Sequence, residues 1–250
     1  MTNQQDYHRN HLNLPDFGKT GQAKLAQSQS AMIGLGGLGS AASQTLVASG
    51  IGHLQLFDAD LVSSTNLSRQ LIYRPADIGH SKAKRAQKFL QMINPHCQIE
   101  AVSAHLQAEN CQKNLSARQI IIDATDNFRS RFEMADYAFK KNKNFISADS
   151  SGYHGYLSIY KNSPKLPCFR CFHQESDALL RSRSCVEQGI FSPILGVLGN
   201  FLASETIKEI IMPKQSLAGQ MLIIDCRNNH FRLAKLSKDP ACQLCHEGRP

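Results

Sequence analysis

The stretch Ile33-Gly34-Leu35-Gly36-Gly37-Leu38-Gly39 decides the fold that this sequence predicts. An apolar run, Ala31-Met32-Ile33, leads into it and is long enough for a buried strand, and residues 40–47 after it have the composition of a helix. The glycines fit a strand–GxGxxG–helix pattern. In that pattern a tight turn lets the backbone approach a ligand, and the unpaired N–H groups of the helix point at a phosphate.

A second predicted strand, residues 53–57, ends in Asp58 about 20 residues after the glycines. An acidic side chain at this place can hold a ribose hydroxyl. The strand, the glycines, the helix and the acid together favour a nucleotide site. The alternative is a Gly-rich turn with a purely structural role.

Composition sets the broad class of the protein. The chain has 250 residues, 42% of them hydrophobic, and a net charge of +8. The charge favours an anionic ligand or an acidic protein partner, whereas the basic runs are too short for us to expect nucleic acid. An apolar run of about 20 residues and the apolar core of a signal peptide are both missing from the sequence. We therefore expect a cytoplasmic protein with no membrane segment.

Strands alternate with helices along most of the chain, which predicts an α/β fold. We expect a Rossmann-like, mostly parallel sheet with helices on both faces, followed by a C-terminal extension with further strands. Ligands bind at the carboxyl ends of strands in such sheets, and Gly34, Asp58 and Asp126 follow three of them. Besides residues 53–57, the later predicted strands are residues 98–103, 119–123, 144–148, 156–160, 220–226 and 230–236, and the helices are residues 81–93, 107–115, 128–141 and 192–212.

Three charged residues, Arg69, Lys82 and Asp126, are unusual beside a Gly-rich loop. Each alone is typical of a solvated surface. Together they suit phosphate transfer or adenylation, because cations neutralise charge on phosphates and a carboxylate can hold Mg²⁺. An NAD-dependent oxidoreductase explains the glycines but gives these three residues no role.

Two of the cysteine pairs have metal-ligand spacing. The chain has eight cysteines, and Cys168-x-x-Cys171 and Cys242-x-x-Cys245 form the pairs. Four thiolates suit a tetrahedral structural Zn²⁺, although one CxxC could instead be a redox pair. Zinc would tie the C-terminal tail to the segment after residue 160. Three further cysteines, Cys97, Cys111 and Cys226, are expected to be small core residues.

The motifs together resemble the ThiF/MoeB/HesA family, the bacterial relatives of ubiquitin-activating enzymes. The resemblance extends from Arg9 to Cys245. It rests on GLGGLG at residues 34–39, D-x-D at 58–60, N-L-x-R-Q at 66–70, G-x-x-K at 79–82, I-N-P at 93–95 and D-A-T-D-N at 123–127.

The resemblance implies an ATP-dependent adenylyltransferase. Its substrate would be the C-terminal glycine of a ubiquitin-like sulfur carrier protein that ends in Gly-Gly, with a ThiS-type carrier of thiamin biosynthesis preferred and a MoaD-type carrier of molybdenum cofactor biosynthesis next. The cofactors would be ATP, Mg²⁺ and Zn²⁺. By motif position, the site residues are Gly37 in the phosphate loop, Asp58 on the ribose, Ser68, Arg69 and Gln70 along the nucleotide, Lys82 on the phosphates, and Asp126 with Asn127 at Mg²⁺.

Two further residues complete the expected site. Arg9 matches the family arginine that reaches into the ATP site of the neighbouring subunit, which implies a homodimer. Cys185 lies close to Arg181 and Arg183, whose charges favour its thiolate. In the family a cysteine at this place receives the carrier or its sulfur, which would involve a sulfurtransferase or cysteine desulfurase. The alternative is a spectator thiol.

The expected organisation is one compact domain with three regions. Residues 1–30 form an N-terminal arm and helix, residues 31–150 the Rossmann-like ATP-binding region, and residues 151–250 the carrier-binding, crossover-loop and zinc-bound region. Besides the oxidoreductase, two functions stay open. One is a family branch that activates a tRNA-base carboxylate, and the other is a non-catalytic scaffold.

Overall fold

The computed structural model describes residues 4–174 and 189–246. Within them an eight-stranded sheet runs through the molecule in the order β3-β2-β1-β4-β5-β6-β7-β8. The strands β1 to β5 are parallel to one another, and β6 to β8 continue the sheet in antiparallel pairing. The predicted α/β class is confirmed. The strands are β1 (Gln29–Ile33), β2 (His53–Phe57), β3 (Gln98–Val102), β4 (Ile120–Asp123), β5 (Asn144–Ser151), β6 (His154–Tyr160), β7 (Gln220–Asp225) and β8 (His230–Lys235).

Helices cover both faces of this sheet, and the four predicted over residues 81–93, 107–115, 128–141 and 192–212 begin and end within one residue of those bounds. Among the described residues, none of them combines the length and hydropathy that crossing a bilayer requires. The α-helices are α1 (Gln4–Tyr7), α2 (Arg9–Leu12), α3 (Gly18–Gln27), α4 (Gly37–Ser49), α5 (Lys82–Ile93), α6 (Ala108–Leu115), α7 (Phe128–Lys140), α8 (Phe169–Phe172), α9 (Ser192–Ile211) and α10 (Gln243–His246).

Strands β5 and β6 are longer than the sequence predicts. Three polar residues, Asp149, Ser150 and Ser151, extend β5, and they pair with the start of β6. Gly152 makes the tight connection possible, because its φ of +57° lies in the left-handed region. Cross-strand pairing therefore overrides the low strand propensity of these polar residues.

Strand β1 lies between β2 and β4, and this arrangement places the site. The chain leaves β1 towards β2 on one side, and later returns to β4 on the other side. A crevice forms at the carboxyl ends of the strands where the direction of winding reverses. The predicted convergence of the segments after β1, β2 and β4 follows from this order.

The two faces of the sheet bury separate cores. Helices α4, α5 and α9 cover one face, and α6 and α7 cover the other. Helix α9 crosses α4 at Gly199, where an added Cβ would lie 2.7 Å from the Cβ of Ala41. This close crossing packs α9 tightly against α4 and buries residues such as Leu195, Leu198 and Leu202.

A buried ion pair joins α7 to the end of β4. The Nε of Arg131 lies 2.7 Å from Oδ2 of Asp123, and the two side chains are 2% and 0% exposed. Arg131 also donates to the carbonyl of Thr125 and lies 3.7 Å from the Asp149 carboxylate. Burial alone would lower the pKa of Arg131, but the two carboxylates outweigh it and the pKa is raised. The guanidinium therefore stays charged and holds the loop after β4.

Replacing Arg131 with Met should lower the free energy of unfolding by about 3–5 kcal/mol, because it leaves the Asp123 carboxylate buried without its charge partner. Urea unfolding followed by circular dichroism measures the change. The matched control is Arg129→Met on the same helix. Arg129 is 90% exposed and pairs with Glu133, so its loss should cost less than about 1 kcal/mol. Equal losses in the two variants would contradict this account.

Candidate active site

A cavity of about 670 Å³ opens at the carboxyl ends of the parallel strands. Seven of the predicted site residues line it, and these are Gly37, Asp58, Arg69, Gln70, Lys82, Asp126 and Asn127. They come from the starts of α4 and α5 and from the segments after β2 and β4, so segments far apart in sequence meet in one crevice.

Two positions between the end of β1 and the first turn of α4, Gly34 and Gly39, require glycine. Gly34 has a φ of +86°, and an added Cβ would lie 2.7 Å from the carbonyl oxygen of Ala124. At Gly39 an added Cβ would lie 1.9 Å from the carbonyl oxygen of Gly34. Helix α4 can therefore start directly against the end of β1 only without side chains at these positions.

The N-terminus of α4 faces the cavity. Its N-cap residue is Gly36, which offers no side-chain hydrogen bond to the first turn. The N–H groups of a first helical turn lack partners within the helix, and the helix dipole adds positive charge there. This end of α4 is therefore suited to an anion such as a phosphate.

Asp58 holds the Gly-rich turn in place. Its Oδ2 accepts the N–H of Leu35 at 2.7 Å, and its Oδ1 accepts the N–H of Asp60 at 2.9 Å. Burial raises the pKa of Asp58, whereas the same N–H groups and the Lys82 ammonium act in the opposite direction. The carboxylate links β2 to the turn after β1, and its role on a ribose stays a prediction.

Two cations enter the cavity from one side. The Nζ of Lys82, at the start of α5, lies 2.8 Å from Oδ2 of Asp60, and the lysine side chain is only 8% exposed. Arg69 is held by its Nη1, which donates to the carbonyl of Thr65 at 2.7 Å. Both charges are fixed by protein contacts before any ligand binds.

The loop after β4 supplies the acidic side of the cavity. Asp126 is exposed, and no hydrogen bond or ion pair engages its carboxylate among residues 4–174 and 189–246. Asn127 caps α7, because its Oδ1 accepts the N–H of Ser130 at 3.2 Å. Nearby in the cavity wall, the buried Oε1 of Gln70 has no hydrogen-bond partner in the described part of the chain. These groups can receive a cation and a polar ligand.

Three predicted residues stand apart from the cavity. Ser68 is exposed and lies outside the set of described residues that line it. Arg9 is exposed on α2 and pairs with Asp6 at 3.3 Å, so it does not reach the cavity of its own chain. Cys185 lies outside the described residues. The roles of Ser68, Arg9 and Cys185 stay predictions.

Several residues of the site were not predicted. Tyr73 is buried, and its hydroxyl donates to the carbonyl of Leu35 at 3.0 Å, which supports the Gly-rich turn from the other side. Asp60 is the partner of Lys82, and its place in the D-x-D motif was a signal that could have found it. Asp149 lines the cavity and approaches Arg131. Tyr73 has no local sequence signal.

The four paired cysteines form one cluster. The Sγ atoms of Cys168, Cys171, Cys242 and Cys245 all lie within 4.8 Å of one another. The separations are 3.8 Å within the first pair and 3.5 and 3.4 Å across the pairs. A tetrahedral Zn²⁺ with bonds of about 2.3 Å places sulfurs about 3.8 Å apart. The cluster therefore has the ligand set and the size to hold a metal.

Comparison with known families agrees with this geometry. The ThiF family model matches residues 7–244. The chain belongs to the ThiF family. The resemblance that the sequence motifs indicated is thus confirmed over nearly the whole chain.

The curated relatives of this ThiF-family chain are named as adenylyltransferases. The sulfur carrier protein adenylyltransferase of Thermus thermophilus is 33% identical over 96% of the chain and 89% of the relative. The molybdopterin-synthase adenylyltransferase of Escherichia coli is 33% identical over 93% and 92%. The adenylyltransferase and sulfurtransferase MOCS3 of Drosophila sechellia is 36% identical over 94% of the chain and 52% of the relative. The chain spans about half the length of the MOCS3 relatives that it matches.

Solved structures share the fold. A crystal structure of E. coli MccB with succinimide superimposes with a TM-score of 0.83 at 21% identity, and it covers 98% of this chain and 75% of MccB. The structure of PaaA gives a TM-score of 0.79 at 20% identity, with coverages of 94% and 83%. At this level of identity the likeness establishes the architecture alone.

Gly39→Ala should lower the free energy of unfolding by about 1–3 kcal/mol, because the new Cβ forces α4 away from the Gly34 carbonyl. Thermal and urea unfolding measure the loss. Gly196→Ala in α9 is the matched control, since no described atom lies within 4 Å of its added Cβ. There the better helix propensity of Ala should stabilise the protein by about 0.5–1 kcal/mol. Stabilisation in both variants would refute the close contact at Gly39.

Proposed function

We propose that this protein is an ATP-dependent adenylyltransferase that activates the C-terminal glycine of a ubiquitin-like sulfur carrier protein. The observation that carries the proposal is the set of charges around one helix end. Arg69, Lys82 and Asp126 converge on the cavity that the N-terminus of α4 faces. The names of the relatives from Thermus thermophilus and E. coli support the same reaction class.

The chemistry explains why these groups are needed. A carboxylate is a poor acyl donor, because an oxide would have to leave. In the proposed reaction a carboxylate oxygen attacks the α-phosphorus of ATP, the bond to the β-phosphate oxygen breaks, and pyrophosphate leaves. The resulting mixed anhydride has AMP as its leaving group. The protein's part is to align the two reactants and to stabilise the charge that develops on the phosphates.

Each residue has a part in that reaction. The first turn of α4 would receive phosphate oxygens, and Lys82 and Arg69 would neutralise the pyrophosphate as it leaves. Asp58 would hold the ribose. Asp126 would hold Mg²⁺, which would supply positive charge to the phosphates. The exposed, unengaged carboxylate of Asp126 fits this role better than Asp123, whose oxygens are engaged in the core.

The carrier would end in Gly-Gly. We favour a ThiS-type carrier and thiamin biosynthesis on the sequence, with a MoaD-type carrier and molybdenum cofactor biosynthesis as the competing choice. The name of the E. coli relative supports the second choice. Sulfur would come from a sulfurtransferase or cysteine desulfurase, and the MOCS3 relative is named as both an adenylyltransferase and a sulfurtransferase.

ATP–pyrophosphate exchange tests the proposal. Exchange should require one carrier type with its terminal Gly-Gly intact, and truncation of the tail should abolish it. Lys82→Ala should lower the exchange rate at least about 100-fold, because charge on the phosphates loses its buried cation. The control is Lys84→Ala, an exposed lysine two residues along the same helix, which should exchange like the wild type.

Two outcomes would count against the proposal. If the exchange rate were the same with and without the terminal Gly-Gly of the carrier, the carrier would not be the substrate. An equal loss of exchange in the Lys82 and Lys84 variants would mean that the overall positive charge of the protein matters and not the position of Lys82. The cavity would then not be the site of the reaction.

We further propose that the four-cysteine cluster holds a structural Zn²⁺ that fastens α10 to the segment around α8. Protein purified in metal-clean buffer should carry about one zinc per chain. Cys242→Ser should lose most of that zinc and lower the melting temperature. Cys226→Ser, which changes a half-buried cysteine outside the cluster, should keep it. Full zinc content in the Cys242 variant would show that the cluster is not the site.

The remaining predictions concern the dimer and the thiol. We infer a homodimer in which Arg9 of one subunit completes the ATP site of the other, and in which Cys185 serves sulfur transfer but not adenylation. Mixed dimers of Arg9→Ala and Lys82→Ala subunits should regain one working site. No recovery at all would refute action across the dimer.

A further inference from the structure

An exposed aromatic pair stands on the rim of the cavity. The rings of Tyr153 and Phe191 stack with centroids 5.0 Å apart and planes 29° from parallel. They are 42% and 41% exposed. Ile190, next to Phe191, and Ser151, two residues before Tyr153, line the cavity, and the two rings lie just outside that lining. A large aromatic surface therefore faces solvent directly beside the opening of the site.

Backbone hydrogen bonds hold the two segments that carry the pair, and a cation packs on one ring. The N–H of Phe191 donates to the carbonyl of Gly152 at 3.0 Å, and the carbonyl of Tyr153 accepts the N–H of Cys226 at 3.0 Å. The guanidinium of Arg227 lies 5.8 Å from the centroid of the Tyr153 ring. Rings that are already ordered lose little entropy when a partner packs against them, and exposed rigid aromatics are typical binding anchors.

The position of the pair in the sheet separates it from the nucleotide groups. Asp58 follows β2 and the Gly-rich turn follows β1, whereas Tyr153 follows β5, two strands beyond β1. Neighbouring strands lie about 4.8 Å apart, so the β5 side begins about 10 Å from the phosphate turn. The β5 side of the cavity is therefore available to the second substrate, the carrier protein.

We infer that Tyr153 and Phe191 bind the carrier's tail just before its terminal glycines. This inference rests on the proposed function. Three extended residues span about 10 Å, so with the last glycine at the reacting phosphorus, the residue fourth from the end reaches the β5 side where the pair lies. An apolar side chain there can pack on the ring faces, and Arg227 offers a cation for an acidic group on the carrier.

Steady-state exchange kinetics test the inference. Tyr153→Ala and Phe191→Ala should each raise the KM for the carrier about tenfold, with the KM for ATP and kcat changed less than about twofold. Tyr153→Phe keeps the ring and should behave like the wild type. Phe172→Ala removes a ring of similar exposure on α8 and should leave the KM for the carrier unchanged. Titration of the carrier's C-terminal peptide should show the same loss of affinity in the absence of ATP.

The outcomes separate this inference from the proposed function. Wild-type exchange that depends on the carrier, with an unchanged KM in both alanine variants, would overturn the role of the pair and leave adenylation standing. An equal rise in the Phe172 variant would also overturn it. Wild-type protein that neither binds nor exchanges with a carrier would overturn both.

Discussion

The close contact between the end of β1 and the start of α4 is the constraint on which the site depends. Only glycine at position 39 lets the helix begin against the Gly34 carbonyl, and this fixes where the first turn of α4 points. Asp58 and Tyr73 then hold Leu35 from two sides, through its N–H and its carbonyl. The helix end that we propose binds phosphate is thus shaped by protein contacts alone, as electrostatic preorganisation requires.

Some charged residues of the site stabilise its loops, and others face the cavity. Asp123, the last residue of β4, is buried with Arg131, whereas Asp126 in the loop after β4 is exposed. On the other side, Lys82 is enclosed and Asp60 is 61% exposed. The buried partners, Asp123 and Lys82, are fixed by their ion pairs, and the exposed carboxylate of Asp126 remains available to a metal ion. The same short motifs therefore carry both the fold and the proposed chemistry.

The sequence predicted the elements whose signals are local. Glycine spacing, apolar runs and helix-ending residues such as Asn94 and Pro95 are sufficient to place the strands, the helices and the convergence at their carboxyl ends. Partners distant in sequence were not predictable in this way. Arg131 lies in a helix that also carries exposed charges, so its burial depends on where β4 and β5 deliver Asp123 and Asp149. The contact of Tyr73 with the Gly-rich turn likewise exists only in three dimensions.

Intact mass spectrometry of the carrier tests the central claim most directly. The protein is mixed with Mg-ATP and a carrier ending in Gly-Gly, under conditions where pyrophosphate is removed. Adenylation predicts a carrier whose mass increases by one AMP group, joined at the terminal glycine and removed by hydroxylamine. A carrier that gains only a phosphate, or that stays unchanged while the ATP is consumed, would contradict the account.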